Sequence, residues 1–269
     1  AGAFTITCLV LALIQLVGSP SQWVALGIGF YSFFSWIQGL RARDRVAYEL
    51  IFKCPSLMFG TVGFAWCAFV GYGVGYWSAP YFIRVHGENP AQVGTYLGLT
   101  AMGAGWLGVT LSGVVSDFWK VRSSYARINC GILSAILSVP SGYLLFTTKD
   151  VGLAYLANIF FTATSCFWIG SAIAMTNELV IPRIRATASA TYILIVTFIG
   201  LALGPFVMGQ ISTTLTDRGV ESGLALRSAV LYGLGGYMIA LLFFVAATRS
   251  LARDEDRRIQ RARNLGEDV

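Results

Sequence analysis

Seven long stretches without a charged residue are the feature that most constrains how this chain can fold. A helix that crosses the hydrocarbon core of a bilayer needs about 20 mainly apolar residues. Each stretch reaches that length, and only 12% of all residues are charged, against about 25% in soluble domains. The stretches are residues 1–40, 54–83, 89–116, 128–148, 151–177, 186–216 and 228–248. The pattern predicts a polytopic membrane protein.

These stretches predict about eight transmembrane helices, because a Gly-Ser-Pro-Ser segment at 18–21 interrupts the first one. The apolar residues do not alternate with polar ones as barrel strands require, so the fold class is all-α. The expected helices lie near 2–17, 22–39, 56–83, 91–117, 128–147, 151–178, 184–212 and 228–249. The register of the two helices within 1–40 stays uncertain at this point, while 41–55 is expected to be a linker and 250–269 a tail.

The Lys and Arg residues predict the orientation. Alternate loops between the predicted helices lie on opposite sides of the membrane. Fifteen of the Lys and Arg residues lie in the loops and tail of one side, and four lie on the other side. The positive-inside rule then places both termini on the cytoplasmic side of the membrane. The membrane is expected to be the cell (plasma or inner) membrane. The net charge of +6 is explained in the same way, so no nucleic-acid partner is expected. The mixed-charge tail is expected to be mainly a solvated flank.

Enzyme chemistry has few candidate residues in this sequence. The one histidine, His86, falls in a predicted outer loop, and no Asp, Glu, Lys or Arg lies deep inside a predicted helix. Metal, haem and serine-hydrolase chemistry therefore lack ligands or a base. The cysteine spacings match no metal or disulfide framework. We expect no catalytic residue, no metal and no cofactor.

A glycine and an acid four residues apart, followed by cations, form the strongest local motif. It consists of Gly113, Asp117, Lys120 and Arg122, at the end of the fourth predicted helix. A small residue lets a neighbouring helix approach closely, and a carboxylate there suits a helix N-terminus or a cation. The motif resembles the gating motif of the major facilitator superfamily. That resemblance implies a charge cluster, and we expect it to contain Asp117, Arg122 and Glu178.

Two further segments resemble the Spinster-like branch of this superfamily. One is Trp77–Gly87 followed by Val93–Gly98; the other runs from Glu178 through Arg185, which joins the gating candidates, to Pro205. The resemblance implies that 56–249 is the C-terminal six-helix half of a twelve-helix transporter. On this interpretation the chain is a fragment whose N-terminal half is missing and is its necessary partner.

The resemblance also implies which helices line a substrate cavity. Asn158, Thr162 and Ser165 form one polar face on an otherwise apolar helix, and such faces point into a bundle or a cavity. The alternative is that they only bond neighbouring helices. Phe69, Tyr72 and Tyr76 form an aromatic stripe that either lines the cavity or packs, and Arg84 either meets an anionic group at the outer mouth or anchors the interface.

The function expected from this resemblance is secondary active transport of a small organic or amphipathic solute by alternating access, with proton or ion coupling. The bilayer and a small-molecule substrate are the expected partners. Two alternatives stay open: an organic-anion or sugar-acid carrier of another branch, and a receptor or structural subunit that does not transport. A buried Arg or Lys in the cavity would favour the first alternative, and none is evident in the predicted spans.

Overall fold

The structure is a computed structural model that describes Leu11 and residues 20–266. Seven of its helices are long and apolar enough to cross a membrane, which we name α1 and α3 to α8, while α2 and α9 are short. The bounds are α1 (Pro20–Arg43), α2 (Arg45–Phe52), α3 (Pro55–His86), α4 (Pro90–Lys120), α5 (Ala126–Thr147), α6 (Val151–Glu178), α7 (Pro182–Asp217), α8 (Ser222–Asp256) and α9 (Arg258–Asn264).

The prediction of an all-α polytopic membrane protein is confirmed. Seven of the eight expected helices have a counterpart, and the first, near 2–17, falls outside the described residues. Several helices run beyond their apolar stretch, most of all α8, which continues to Asp256. The bilayer sets a minimum length for an apolar stretch and does not limit how far the helix extends past it.

The helices begin and end at residues that satisfy the free backbone groups there. Asn89 and Asp150 precede α4 and α6, and their side-chain oxygens accept hydrogen bonds from the N–H groups of Ala91 at 2.9 Å and Leu153 at 2.8 Å. α3 ends at Gly87, whose φ of 70° is the left-handed conformation that glycine adopts without strain. These short turns fix the helices as antiparallel neighbours.

α3 is the central helix of the bundle, and α1 lies on its outside. About 67% of the most apolar window of α3 is buried, against 11% of that of α1. Phe64 of α3 meets Phe244 of α8 edge to face, with ring centroids 4.9 Å apart. On the other side, Gly204 of α7 lies directly against the carbonyl oxygen of Phe69, where any side chain would collide with backbone. α3 therefore packs closely against both of these helices.

The segment expected to be a linker contains the packed helix α2. Its buried side chains are Ala47, Leu50 and Ile51. Asp44 precedes the helix and accepts a hydrogen bond from the N–H of Ala47 at 2.9 Å. That hydrogen bond is the main reason why the pKa of Asp44 is lowered. Burial raises the pKa, and Arg183, whose Nη1 lies 3.2 Å from Oδ2 of Asp44, lowers it further.

The C-terminal tail packs on the bundle, whereas the sequence predicted mainly a solvated flank. Asp254, only 5% exposed, accepts hydrogen bonds from the N–H and Oγ of Ser56 at 3.1 and 2.7 Å. Ser56 lies in the first turn of α3, so Asp254 satisfies a free N–H there. Arg261 of α9 donates to the carbonyl oxygen of Asp254 at 2.8 Å, and Ala262 is fully buried. The tail thus holds the start of α3.

Candidate functional site

A charge cluster joins four helices at the cation-rich end of the bundle. Arg127, at the start of α5, is at its centre and its side chain is 8% exposed. Its Nη1 donates to Asp117 Oδ1 at 2.5 Å and to Ser116 Oγ at 2.7 Å, both near the end of α4. Its Nη2 and Nε donate to Glu178 Oε1, at the end of α6, at 2.6 and 3.1 Å. One guanidinium therefore connects three helices.

Lys120 extends the cluster to α8. Its Nζ lies 2.8 Å from Glu255 Oε1 and 3.5 Å from Glu178 Oε2. From α9, Arg258 Nη1 donates to the backbone oxygen of Glu178 at 2.6 Å. We call Asp117, Lys120, Arg127, Glu178 and Glu255 the charge cluster. Its two basic side chains each contact two carboxylates, so the acids gathered at these helix ends are compensated.

The structure places Arg127, and not Arg122, between Asp117 and Glu178. Arg122 lies in the turn after α4, where its guanidinium sits 4.6 Å from the ring centroid of the exposed Phe118. Sequence reasoning counted Arg127 only as a topology cation. A signal was present, because Arg127 borders an apolar stretch, and an Arg that begins a membrane helix next to acidic helix ends favours pairing with them.

The two remaining gating candidates lie near the cluster without being part of it. Arg185 donates from Nε to the backbone oxygen of Asn177 at 3.2 Å, so it holds the turn between α6 and α7. Gly170 of α6 lies against Gly113, and a Cβ added at Gly170 would come within 3.1 Å of the Gly113 nitrogen. A Cβ added at Gly113 itself meets nothing within 4 Å, so this close approach requires a small residue at Gly170 and not at Gly113.

A cavity of about 200 Å³ lies between α3, α4 and α6. Four of the predicted binding residues line it, namely Tyr72, Asn158, Thr162 and Ser165. Apolar and small side chains form the rest of the wall, including Gly71, Gly75, Leu97, Ala101, Phe161, Trp168 and Ile169. Ala101 begins a π-helical segment of α4, a distortion that is frequent at functional sites. The cavity is thus mainly apolar, with one polar face.

The polar face differs in how its members are satisfied. Ser165 Oγ donates to the backbone oxygen of Thr162 at 3.2 Å, and Ser78 Oγ, also on the wall, donates to the backbone oxygen of Val74 at 2.7 Å. Asn158 is 4% exposed, and its Oδ1 has no hydrogen-bond partner among the described residues. Burying a polar atom without a partner costs about 1–3 kcal/mol. Asn158 is therefore the member of the face whose unpartnered polar atom is buried.

The structure separates the other predicted binding residues from this cavity. Tyr76 is 65% exposed and lines a second crevice with Trp77, whose ring centroid lies 5.2 Å from its own. Phe69 is buried and packs against Trp66 at 4.9 Å. Arg84 is exposed near the opposite end of α3. The aromatic stripe therefore divides, and only its middle member, Tyr72, faces the cavity.

Among the residues that the structure describes, no group of three or more His, Cys, Asp or Glu side chains is placed to hold a metal ion.

Comparison with known proteins connects this architecture to a class. No established family profile matches the sequence. Two crystal structures of a bacterial homologue of the human lysosomal transporter Spinster match its fold, both inward-facing, one unoccupied and one occupied. The TM-scores are 0.70 and 0.65 at 23% and 22% identity, over 80% and 74% of this chain and 52% and 50% of theirs. The chain therefore shares the fold of these Spinster-homologue structures over most of its length.

Sequence relatives agree with that class. An MFS-type efflux pump of Mycolicibacterium smegmatis is 26% identical over 74% of this chain and 46% of its own length. Spinster homolog 1 of Xenopus tropicalis is 25% identical over 81% of this chain and 44% of its own, and spinster homolog 3 of Mus musculus 26% over 75% and 43%. The chain spans about half the length of these relatives. The resemblance to Spinster-like transporters is confirmed.

Proposed function

We propose that this chain forms the C-terminal half of a secondary active transporter, which moves a small organic or amphipathic solute across a membrane by alternating access. The observation that carries the proposal is the cavity between α3, α4 and α6, in a bundle with the fold of known transporters. A mainly apolar pocket with a few polar groups is the usual form of a small-molecule site. Rocking of one half against another would open such a site to either side.

The other half is a necessary part of this proposal. The described residues contain seven candidate spans, and the matched part covers less than half of each sequence relative. Tyr72 and Thr162 would face the partner half across a shared cavity, with Arg84 near its outer mouth. Among the described residues no carboxylate lines the cavity, so we assign proton or ion coupling to the other half. The cation-rich end would lie on the cytoplasmic side of a plasma or inner membrane, following the positive-inside rule.

The charge cluster would act as a gate component. All of its ion pairs join helices of this one bundle, so they fix the ends of α4, α5, α6 and α8 relative to each other. Asp117 is 71% exposed even while it pairs with Arg127. Its carboxylate can therefore also meet a helix N-terminus of the other half when the cation-rich end closes. Arg127 would position Asp117 for that contact.

Transport measurements in the full-length protein test the proposal. Asn158→Leu, Thr162→Leu and Ser165→Leu should each reduce the transport rate per molecule at normal membrane expression. Asn129→Leu is the matched control, because Asn129 lies on α5 away from the cavity wall. Unchanged transport in all three cavity variants, with or without reduced expression, would overturn the binding role and favour simple helix packing.

A further inference from the structure

The cavity wall has no charged side chain among the described residues. The basic side chains of the charge cluster, Arg127 and Lys120, lie at the helix ends and are already paired with carboxylates. An ion that entered the cavity from water would lose its hydration without gaining a counter-charge from this half. The desolvation cost of such an ion is several kcal/mol or more. The wall therefore selects against carboxylates, phosphates and ammonium groups.

Asn158 determines which kind of ligand group the cavity favours. Its amide carries both an acceptor and two donors, and its buried Oδ1 is unpartnered. A hydroxyl or an uncharged amide can donate and accept, so it satisfies the Asn158 side chain in either orientation of the amide. The serines on the wall have already donated their protons to backbone oxygens, so each retains only acceptor capacity. These free lone pairs also favour a donor in the ligand.

The apolar wall defines the rest of the ligand. Phe161 and Trp168 are 3% and 4% exposed, and Leu97 and Ile169 complete the surface beside them. At about 200 Å³ the space is smaller than the 300–1,000 Å³ of typical drug-sized sites. It holds one end of a solute and leaves the remainder to the other half.

We propose that this half binds the uncharged polar end of its solute, a hydroxyl or neutral amide attached to an apolar body, through Asn158. This inference rests on the proposed transport function and names the chemical class that the same site would take. It excludes the organic-anion class for the group bound by this half. It places any charged group of the solute outside the pocket.

Protection of Cys166 from alkylation tests the proposal by binding alone. Cys166 lines the cavity, whereas Cys54, Cys67 and Cys130 are buried. N-ethylmaleimide labelling of the Cys166 peptide is followed by mass spectrometry in membrane vesicles that carry the full chain. Benzyl alcohol, toluene and benzoate serve as probes, at equal concentrations in the membrane. They share a ring and differ in the polar group.

Benzyl alcohol should protect Cys166 at about tenfold lower concentration than toluene, the value of one neutral hydrogen bond, and benzoate should not protect. Asn158→Leu should remove the difference between benzyl alcohol and toluene, and Asn129→Leu should retain it. Equal protection by toluene, or protection by benzoate, overturns the proposal, as does protection by none of the three. The labelling assay measures binding alone, so the expected pattern of protection in a wild-type protein that shows no uptake in a separate transport assay would count against the proposed function only.

Discussion

Arg127 should contribute far more to the stability of this bundle than Arg122, although both follow the same motif. In Arg127→Gln the main loss is the charged bond to Glu178, because Arg127 is 8% and Glu178 28% exposed. Hydrogen bonds to charged groups contribute about 1.5–3 kcal/mol. The pair with Asp117 adds at most about 1 kcal/mol, since Asp117 is 71% exposed and screened by water. Lys120 remains 3.5 Å from Glu178, which prevents the full cost of an isolated buried charge.

We therefore expect Arg127→Gln to lower the free energy of unfolding by about 2–4 kcal/mol. Arg122→Gln is the matched control, and it should cost no more than about 1 kcal/mol, the value of an exposed cation–π contact. Unfolding of the purified chain in mixed micelles by added dodecyl sulfate measures both. The double variant with Glu178→Gln gives the coupling energy between Arg127 and Glu178, expected within about 0.5–3 kcal/mol.

A specific result would refute this reasoning. If Arg122→Gln destabilises the chain as much as Arg127→Gln, the guanidinium of Arg127 is not the link between α4, α5 and α6. If Arg127→Gln is costly but shows no coupling to Glu178→Gln, its effect comes from packing of the side-chain stem and not from the ion pairs.

Three further predictions concern orientation, the cavity and pH. With cysteines introduced in place of Gly219 and Ser123, a membrane-impermeant maleimide should label the first from outside and the second only from inside; the reverse pattern excludes the orientation. Gly75→Leu should fill the cavity and abolish the protection of Cys166 by benzyl alcohol. It should not lower thermal stability, because a Cβ added at Gly75 meets nothing within 4 Å; Gly94→Leu, where an added Cβ also meets nothing within 4 Å, is its control. Asp44 has a lowered pKa, so its carboxylate stabilises the chain at neutral pH. The stability difference between wild type and Asp44→Asn should begin to shrink as the pH falls below about 3.9, the pKa of an unfolded Asp, and should vanish only below the lowered pKa of Asp44 in the folded chain, measured by unfolding at each pH.

The membrane helices could be predicted from the sequence because the constraint on them is one-dimensional. A span needs a minimum run of apolar residues, and that run can be counted. The ends of the helices could not be predicted in the same way, because they depend on contacts with other helices. Asp254 extends α8 by bonding to Ser56, a residue almost 200 positions away, and no local pattern indicates that pairing.

The candidate site shows the same division between local and distant information. The spacing of Asn158, Thr162 and Ser165 placed them on one face, because helical periodicity fixes neighbours within a helix. Tyr76 follows Tyr72 by four residues but lines the crevice between α3 and α7, although Ser78, further along α3, still lines the cavity. The position of the neighbouring helices, and not the spacing along α3, therefore separates the two tyrosines. The choice between Arg122 and Arg127 depended on the turn between α4 and α5, which the sequence does not specify.

The bond between Asp254 and the start of α3 also has a consequence for how the protein is made. The partners are 198 residues apart, and ribosomes add about 5–20 residues per second. Asp254 is therefore synthesised about ten to forty seconds after Ser56, and the hydrogen bond from the Ser56 N–H to its carboxylate cannot form earlier. Until then the start of α3 lacks this hydrogen bond, and a chain whose translation stops short of residue 254 never forms it.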